Sequence, residues 1–314
     1  MYIDDYSINF NITGTALEND RRLNHAITTT LDKHWDVSLW SAALYVIAIF
    51  LGRKLMTSYE RFNLSNALAL WSGSLAIFSM IGTYRMLPNM YYALRHQDFY
   101  HSVCTVEWTY VPVVAFWTSL FSISKIIELG DTVFIVLRKQ PLIFLHWYHH
   151  ITVLIYTWYS YADRTSSGRW YITMNYAVHS VMYTYYALRA LKYRSPQWIR
   201  MGITLFQLSQ MVVGVSIGVY VYRLKRAGTP CGITDNNMYL SFAMYFSYFL
   251  LFMKFFYDAY LNPPKHAAKP KPMNGHQANG HQANGHSHSN GHHKAMNGTA
   301  SNGHESFAAD KKWE

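Results

Sequence analysis

The sequence predicts an all-α polytopic membrane protein with seven transmembrane helices, and three observations carry that prediction. Apolar blocks of about 18 to 24 residues follow one another from residue 35 to residue 261, each long enough as a helix to cross a hydrocarbon layer of roughly 30 Å. Basic residues gather between the blocks rather than within them. The apolar share is 51% and the aromatic share 17%, yet the mean hydropathy is only -0.05, so a polar segment dilutes an apolar body. A soluble α-helical domain gives no reason for such blocks to recur with their charges at the ends.

Spans are expected at 37–56, 67–87, 111–136, 141–160, 170–190, 201–222 and 238–260. They divide the chain into a lumenal N-terminal segment at 1–34, a seven-helix domain at 35–262 and a tail at 263–314. The opening MYIDDYSINFNITG has no cationic flank and no apolar core, so no cleaved signal peptide is expected. Arg53, Lys54 and Arg61 lie at or near the link between the first and second spans, Arg138 and Lys139 join the third and fourth, and Lys192, Arg194 and Arg200 lie at the link between the fifth and sixth. These links fall on one side, together with Lys265, Lys269 and Lys271, which predicts a cytoplasmic C-terminus and a lumenal N-terminus. Arg223, Lys225 and Arg226 in the last lumenal link run against the rule.

Asn11-Ile12-Thr13 is a glycosylation acceptor on the lumenal end, although Asn63-Leu64-Ser65 and Asn297-Gly298-Thr299 match the same pattern on the other side. Cys104 and Cys231, the only cysteines, both lie in lumenal links, where either a disulfide or two free thiols fits. The net charge of +10 follows the span ends and the tail, not an interleaved basic and aromatic patch, so no nucleic-acid partner is expected.

Polar groups within spans are costly, which makes them the functional candidates. Lys125, Glu128 and Asp131 recur every three residues in the third span and predict one charged helical face. In the fourth span His146 shares a face with His149 and His150, so three imidazoles converge on one surface. Asn175 and His179 lie one turn apart in the fifth span, followed by Tyr183 and Tyr186; Thr204, Gln207 and Gln210 recur every three residues in the sixth. Such histidines could ligate iron for oxygen chemistry on a lipid, or one could act as nucleophile towards an activated acyl group. The spans hold no second pair of histidines at metal-ligand spacing, and no cysteine lies near the triplet to serve as a thiol nucleophile. No metal and no cofactor are therefore expected, and imidazole is the candidate nucleophile.

These residues resemble the fatty acid elongases of the endoplasmic reticulum, the family named for elongation of very-long-chain fatty acids. Leu142 to His150, LIFLHWYHH, is similar to its histidine box; Lys125, Glu128, Leu129, Gly130, Asp131 and Thr132 precede it, and Asn175, Val178, His179, Met182, Tyr183, Tyr185 and Tyr186 follow. Thr204, Gln207, Gln210 and the aromatic run Phe249 to Tyr260 extend the likeness over nearly all of 35–262. The stretch from Phe134 to Leu154 is most similar to the branch acting on saturated and monounsaturated long-chain acyl groups. The resemblance implies six helices around an acyl tunnel, open at its cytoplasmic end to coenzyme A esters. It implies condensation of a long-chain acyl-CoA with malonyl-CoA to a 3-oxoacyl-CoA, carbon dioxide and CoA, and the reductases and dehydratase of the elongation cycle as partners. On that reading His149 carries the acyl group, His179 faces it, His146 and His150 polarise, and Asn175 and Gln207 donate to developing oxyanions, while Lys125, Glu128 and Asp131 organise the surroundings. A membrane diiron desaturase or hydroxylase, or an acyl-lipid transporter, is the alternative.

From Asn262 onward the chain is rich in Pro, Lys, Asn, Gly and His, with Asn-Gly-His recurring at 274, 279, 284, 290 and 302. Such a segment cannot bury enough apolar area to offset the entropy of ordering, so it reads as a disordered cytoplasmic tail. Lys311 and Lys312 stand third and fourth from the end and resemble the dilysine signal that returns membrane proteins to the endoplasmic reticulum. The expected location is accordingly the endoplasmic reticulum membrane, surrounded by membrane lipid.

Overall fold

The computed structural model describes residues 13–262. Asn11, Lys311, Lys312 and the segment expected as a tail at 263–314 lie outside the described residues. Residues 13–256 belong to one compact unit; Tyr257–Leu261 forms a π-helical turn in a second. Every regular element among the described residues is helical.

Helix α1 (Arg21–Lys33) starts where the Asp20 carboxylate accepts the Arg22 and Leu23 N–H groups at 2.9 and 3.1 Å. Next come α2 (Val37–Met56), α3 (Ser65–His96), the short α4 (Phe99–Cys104) and a 3₁₀ turn at Glu107–Tyr110. Helix α5 (Pro112–Ile127) opens on a proline, whose missing N–H is one that a helix start leaves unpaired anyway. The remainder are α6 (Gly130–Leu137), α7 (Phe144–Ala162), α8 (Gly168–Ala190), α9 (Gln197–Arg226) and α10 (Asp235–Phe256).

Four of the expected spans are helices long and apolar enough to cross a membrane: Val37–Met56, Ser65–His96, Gln197–Arg226 and the stretch Asp235–Leu261. Helix α3 runs to 32 residues and passes through Pro88, well past the expected end at residue 87. The third expected span is not one helix. It breaks after Ile127, where Leu129 N–H bonds Ile126 O and Asp131 N–H bonds Glu128 O in tight 3₁₀-type steps. Gly130 opens the next helix, and its lack of a side chain lets the Trp71 ring approach, since a Cβ there would stand 2.6 Å from that ring. The fourth span begins later than expected, at Phe144, since Ile143 is extended. Helices α7 and α8 fall short of the purely apolar spans because they carry the polar interior.

Helix α8 lies along α3, close enough at Gly82 for the Tyr176 ring to occupy the space of a side chain. At one end of the bundle a disulfide joins Cys104 to Cys231. Around it Gly232 N–H bonds Cys104 O at 2.8 Å, Ser166 N–H bonds Gly232 O at 2.9 Å, and Asp163 accepts from Thr234 and Asn237. At a different set of links, the α2–α3 connection meets the end of α6, with Phe62 N–H on Leu137 O at 3.1 Å. Helix α1 buries Leu31 against Leu154 and Trp158 of α7 and Ala42 of α2. Ahead of it, buried Glu18 accepts the Trp117 indole N–H at 2.7 Å and pairs with Arg85 at 2.9 Å.

Candidate active site

The first turns of α7 bring the three imidazoles together. His146 and His150 have ring centroids 4.4 Å apart, and His149 and His150 5.6 Å apart. Their environments differ. His146 Nε2 is 2.9 Å from the Thr132 hydroxyl on α6, which is in turn 2.8 Å from the Tyr45 hydroxyl on α2. His150 is buried with Nδ1 unpaired. The His149 ring packs on Tyr248 of α10 at 4.9 Å, takes no hydrogen bond within the described residues, and faces a cavity.

A second cluster stands across from it. Buried Lys125 donates to Glu128 Oε1 at 2.8 Å and Oε2 at 3.0 Å, and to Asn175 Oδ1 at 2.9 Å. With its oxygen held by the ammonium, Asn175 turns Nδ2 towards His179 Nε2, 3.2 Å away. That pattern assigns Nε2 as acceptor and leaves the ring proton on Nδ1, 3.8 Å from Glu128 Oε2. The pair is deeply buried, and its charges are compensated by each other and by these added hydrogen bonds.

Asp131 does not belong to this pair. Because the helix breaks between α5 and α6, its carboxylate is taken by Trp71 Nε1 and the Tyr183 hydroxyl, each at 2.7 Å. The single charged face expected for Lys125, Glu128 and Asp131 is thus two separate arrangements. Tyr183 is buried, whereas Tyr186 is 40% exposed and packs edge-on against it. The three-residue pattern on α9 also divides. Thr204 bonds back to Arg200 O, Gln207 gives its amide N–H to Met182 Sδ, and Gln210 lines the cavity.

The cavity runs from His149, Asn175, Gln210 and Tyr248, past Phe121, Val153 and Met211, to Thr28, Asp32, Tyr161 and Arg164 beside α1. It joins the His149 imidazole to a mostly apolar bore, an arrangement able to hold an extended aliphatic group with one end at His149. Among the described residues no group of three or more His, Cys, Asp or Glu side chains is placed to hold a metal ion.

Tyr45, Trp71 and Tyr248 are partners that sequence reasoning did not single out, and Thr132 entered only as part of a motif. Each lies in a span whose aromatic and hydroxyl residues are indistinguishable from packing until the helices are assembled.

The family model described as ELO: GNS1/SUR4 family matches residues 30–268. A Caenorhabditis elegans protein named putative fatty acid elongase 3 is 51% identical over 236 residues, covering 74% of this chain and 73% of its own length. Very long chain fatty acid elongase 6 of Drosophila melanogaster is 50% identical over 240 residues, 76% of each chain. The protein of the same name from Gallus gallus is 46% identical over 259 residues, 82% of this chain and 97% of its own.

Proposed function

The chain belongs to the GNS1/SUR4 (ELO) family, and from that premise we propose that it is the condensing enzyme of fatty acid elongation, a 3-oxoacyl-CoA synthase acting on long-chain acyl-CoA and malonyl-CoA. The observation that carries this reading is the His149 ring, without a hydrogen bond among the described residues, on the wall of a mostly apolar cavity that Asn175 of the buried Lys125–Asn175–His179 cluster also lines.

In the first half-reaction a His149 nitrogen attacks the thioester carbonyl, the C–S bond breaks, and CoA leaves with the electron pair. The acyl group stays on imidazole, activated, with its aliphatic part in the mostly apolar cavity limiting the access of water. In the second half, malonyl-CoA loses carbon dioxide, and the resulting carbanion attacks the acyl carbon and expels imidazole. The product is a 3-oxoacyl-CoA two carbons longer. Asn175 is positioned by Lys125 to stabilise negative charge on the reacting oxygen or to orient His179, and His179 serves as partner or alternate acyl carrier. His146, held by Thr132, and His150 tune and polarise the same surface. Asp131, Tyr183, Tyr186, Thr204 and Gln210 shape the surroundings; the sulfur contact of Gln207 makes it a weaker oxyanion donor than Asn175.

Seven spans, a lumenal N-terminus and a cytoplasmic C-terminus in the endoplasmic reticulum membrane would place the CoA esters on the side of Arg61, Arg138 and Lys139. The reductases and dehydratase that process the 3-oxo product would act beside it. The testing experiment incubates purified, metal-stripped protein in detergent with a C16 acyl-CoA and malonyl-CoA. A 3-oxoacyl-CoA two carbons longer is expected by mass. Strict dependence on iron and oxygen, a desaturated or hydroxylated product, or movement of unaltered substrate across a bilayer would overturn the reading.

A further inference from the structure

The far end of the cavity is built differently from its middle. Tyr161, near the C-terminus of α7, places its hydroxyl 2.8 Å from Ser119 Oγ on α5 and donates to Thr28 Oγ1 on α1 at 3.1 Å. One turn further, Arg164 reaches Asp32 of α1 at 3.2 Å. Thr28, Asp32, Tyr161 and Arg164 all line the cavity, together with Trp108, Thr109, Thr165 and Gly168, so a helix that precedes the first long span contributes a polar cross-member at the end away from His149.

We propose that α1 is the floor of the acyl cavity and sets the longest acyl chain the site accepts, through the Thr28–Tyr161 hydrogen bond and the Asp32–Arg164 latch. This rests on the condensing-enzyme reading above and adds a specificity-determining element to it. The geometry gives the measure. His149 and Tyr161 stand on one helix, twelve positions apart, which is about 18 Å of rise. An extended chain advances about 1.2 Å per bond, so the bore takes roughly fifteen bonds between the carbonyl at His149 and the floor. A longer chain must push its methyl end into hydroxyls that are already paired, breaking their bonds without offering any in return.

The two fastenings differ in strength. Helix α1 is held at its start by buried Glu18 and along its length by Leu31. The Asp32–Arg164 pair is partly exposed, at 31% and 42%, and so contributes little to holding the fold together. The floor is therefore a helix docked through Glu18 ahead of its start and Leu31 near its end, with the latch as a separate, partly exposed fastening. Arg164 sits at φ 46, a conformation that glycine adopts without strain. Arg164→Gly removes the latch while favouring the same backbone.

The test compares product lengths from C12 to C22 acyl-CoAs with malonyl-CoA for the wild type and two kinds of variant. Arg164→Gly with Tyr161→Phe loosens the floor and is expected to raise the C20-to-C16 turnover ratio by about tenfold. Thr28→Trp raises the floor and is expected to lower the C16-to-C12 ratio by about tenfold. Thr28→Leu is carried alongside, so that poor folding of the tryptophan variant leaves the direction of the shift measurable. Folded variants that keep the wild-type length profile overturn the assignment of α1. A wild-type protein that makes no two-carbon-longer product at any length overturns the condensing reading instead.

Discussion

Lys125 Nζ and Asn175 Oδ1 lie 2.9 Å apart, tying α5 to α8 in the interior and fixing which end of the amide faces His179. Lys125→Met leaves Glu128 as a buried charge without its partner, at a cost of about 3–5 kcal/mol in stability. Adding Glu128→Leu removes the stranded carboxylate. The double variant is expected to regain its melting temperature in detergent but not its turnover, because Asn175 has lost its orienting cation. Recovery of both would make the pair purely structural.

The contrast between His149, free and facing the cavity, and His179, held by Asn175, predicts a division of labour. Acyl-CoA supplied without malonyl-CoA should release CoA and leave an acyl group on His149, mapped by peptide mass. His149→Ala should lower CoA release by about a hundredfold or more. His179→Ala should slow the reaction while leaving some adduct on His149. An adduct on His179 with none on His149 would reverse the roles.

The hydroxyl of Thr132 links Tyr45 to His146. Thr132→Val keeps the shape but leaves two polar groups without this partner, a loss of about 1–3 kcal/mol. Thr132→Ser restores the hydroxyl and is expected to rescue both stability and turnover. Equal behaviour of the valine and serine variants would show that the link does not position His146.

How much of this was legible in the sequence follows from the range of each interaction. The convergence of His146, His149 and His150 depends only on helical periodicity, and their ring distances agree with it. The pairing of Lys125 with Glu128 is likewise a one-turn contact. Asp131 leaves the face of Lys125 and Glu128 because a three-residue spacing assumes an unbroken helix, whereas the helix breaks after Ile127 and Asp131 meets Trp71, a residue 60 positions back in the chain. Thr204, Gln207 and Gln210 dispersed for a related reason. Their spacing defines a face, but the neighbours on α8 and α10 decide what each side chain meets. The cavity's far end was not legible because Thr28 and Asp32 lie in a segment that hydropathy assigns to the exterior.

Glu18 gives a pH dependence outside the spans. Burial pushes its carboxyl up, but the Trp117 N–H, the Thr15 backbone and hydroxyl and the Arg85 guanidinium outweigh it, and the net shift is downward from 4.5. A carboxyl lowered on folding contributes stability that is full above its unfolded value and is lost as pH falls through the folded one. Glu18→Gln should therefore melt below the wild type at neutral pH, by about 1–3 kcal/mol in stability. The gap should close as pH drops below about 4.5. A gap constant from pH 7 to pH 3 would mean that the charge is irrelevant and only the shape matters.

The two ends of the bundle carry different chemistry, and that predicts which compartment each faces. The Cys104–Cys231 disulfide gathers the links around residues 104, 166 and 232 at one end, and disulfides persist in an oxidising lumen. The Phe62–Leu137 bond joins two links that carry Arg61, Arg138 and Lys139, as expected of a cytoplasmic face. In sealed microsomes an impermeant reductant should leave the disulfide intact, while added protease should remove an epitope placed in the tail. Asn11→Gln should abolish any glycan-dependent mobility shift, and Lys311→Ser with Lys312→Ser should let some protein escape to later compartments without changing activity in isolated membranes. The disulfide closes 127 residues, for which a free unfolded chain gives about 4–5 kcal/mol. Helices that remain inserted keep the unfolded chain restrained, so Cys104→Ser with Cys231→Ser should cost less than that. A protected tail and a reducible disulfide in sealed vesicles would invert the whole topology, and with it the side from which the proposed CoA esters would reach His149.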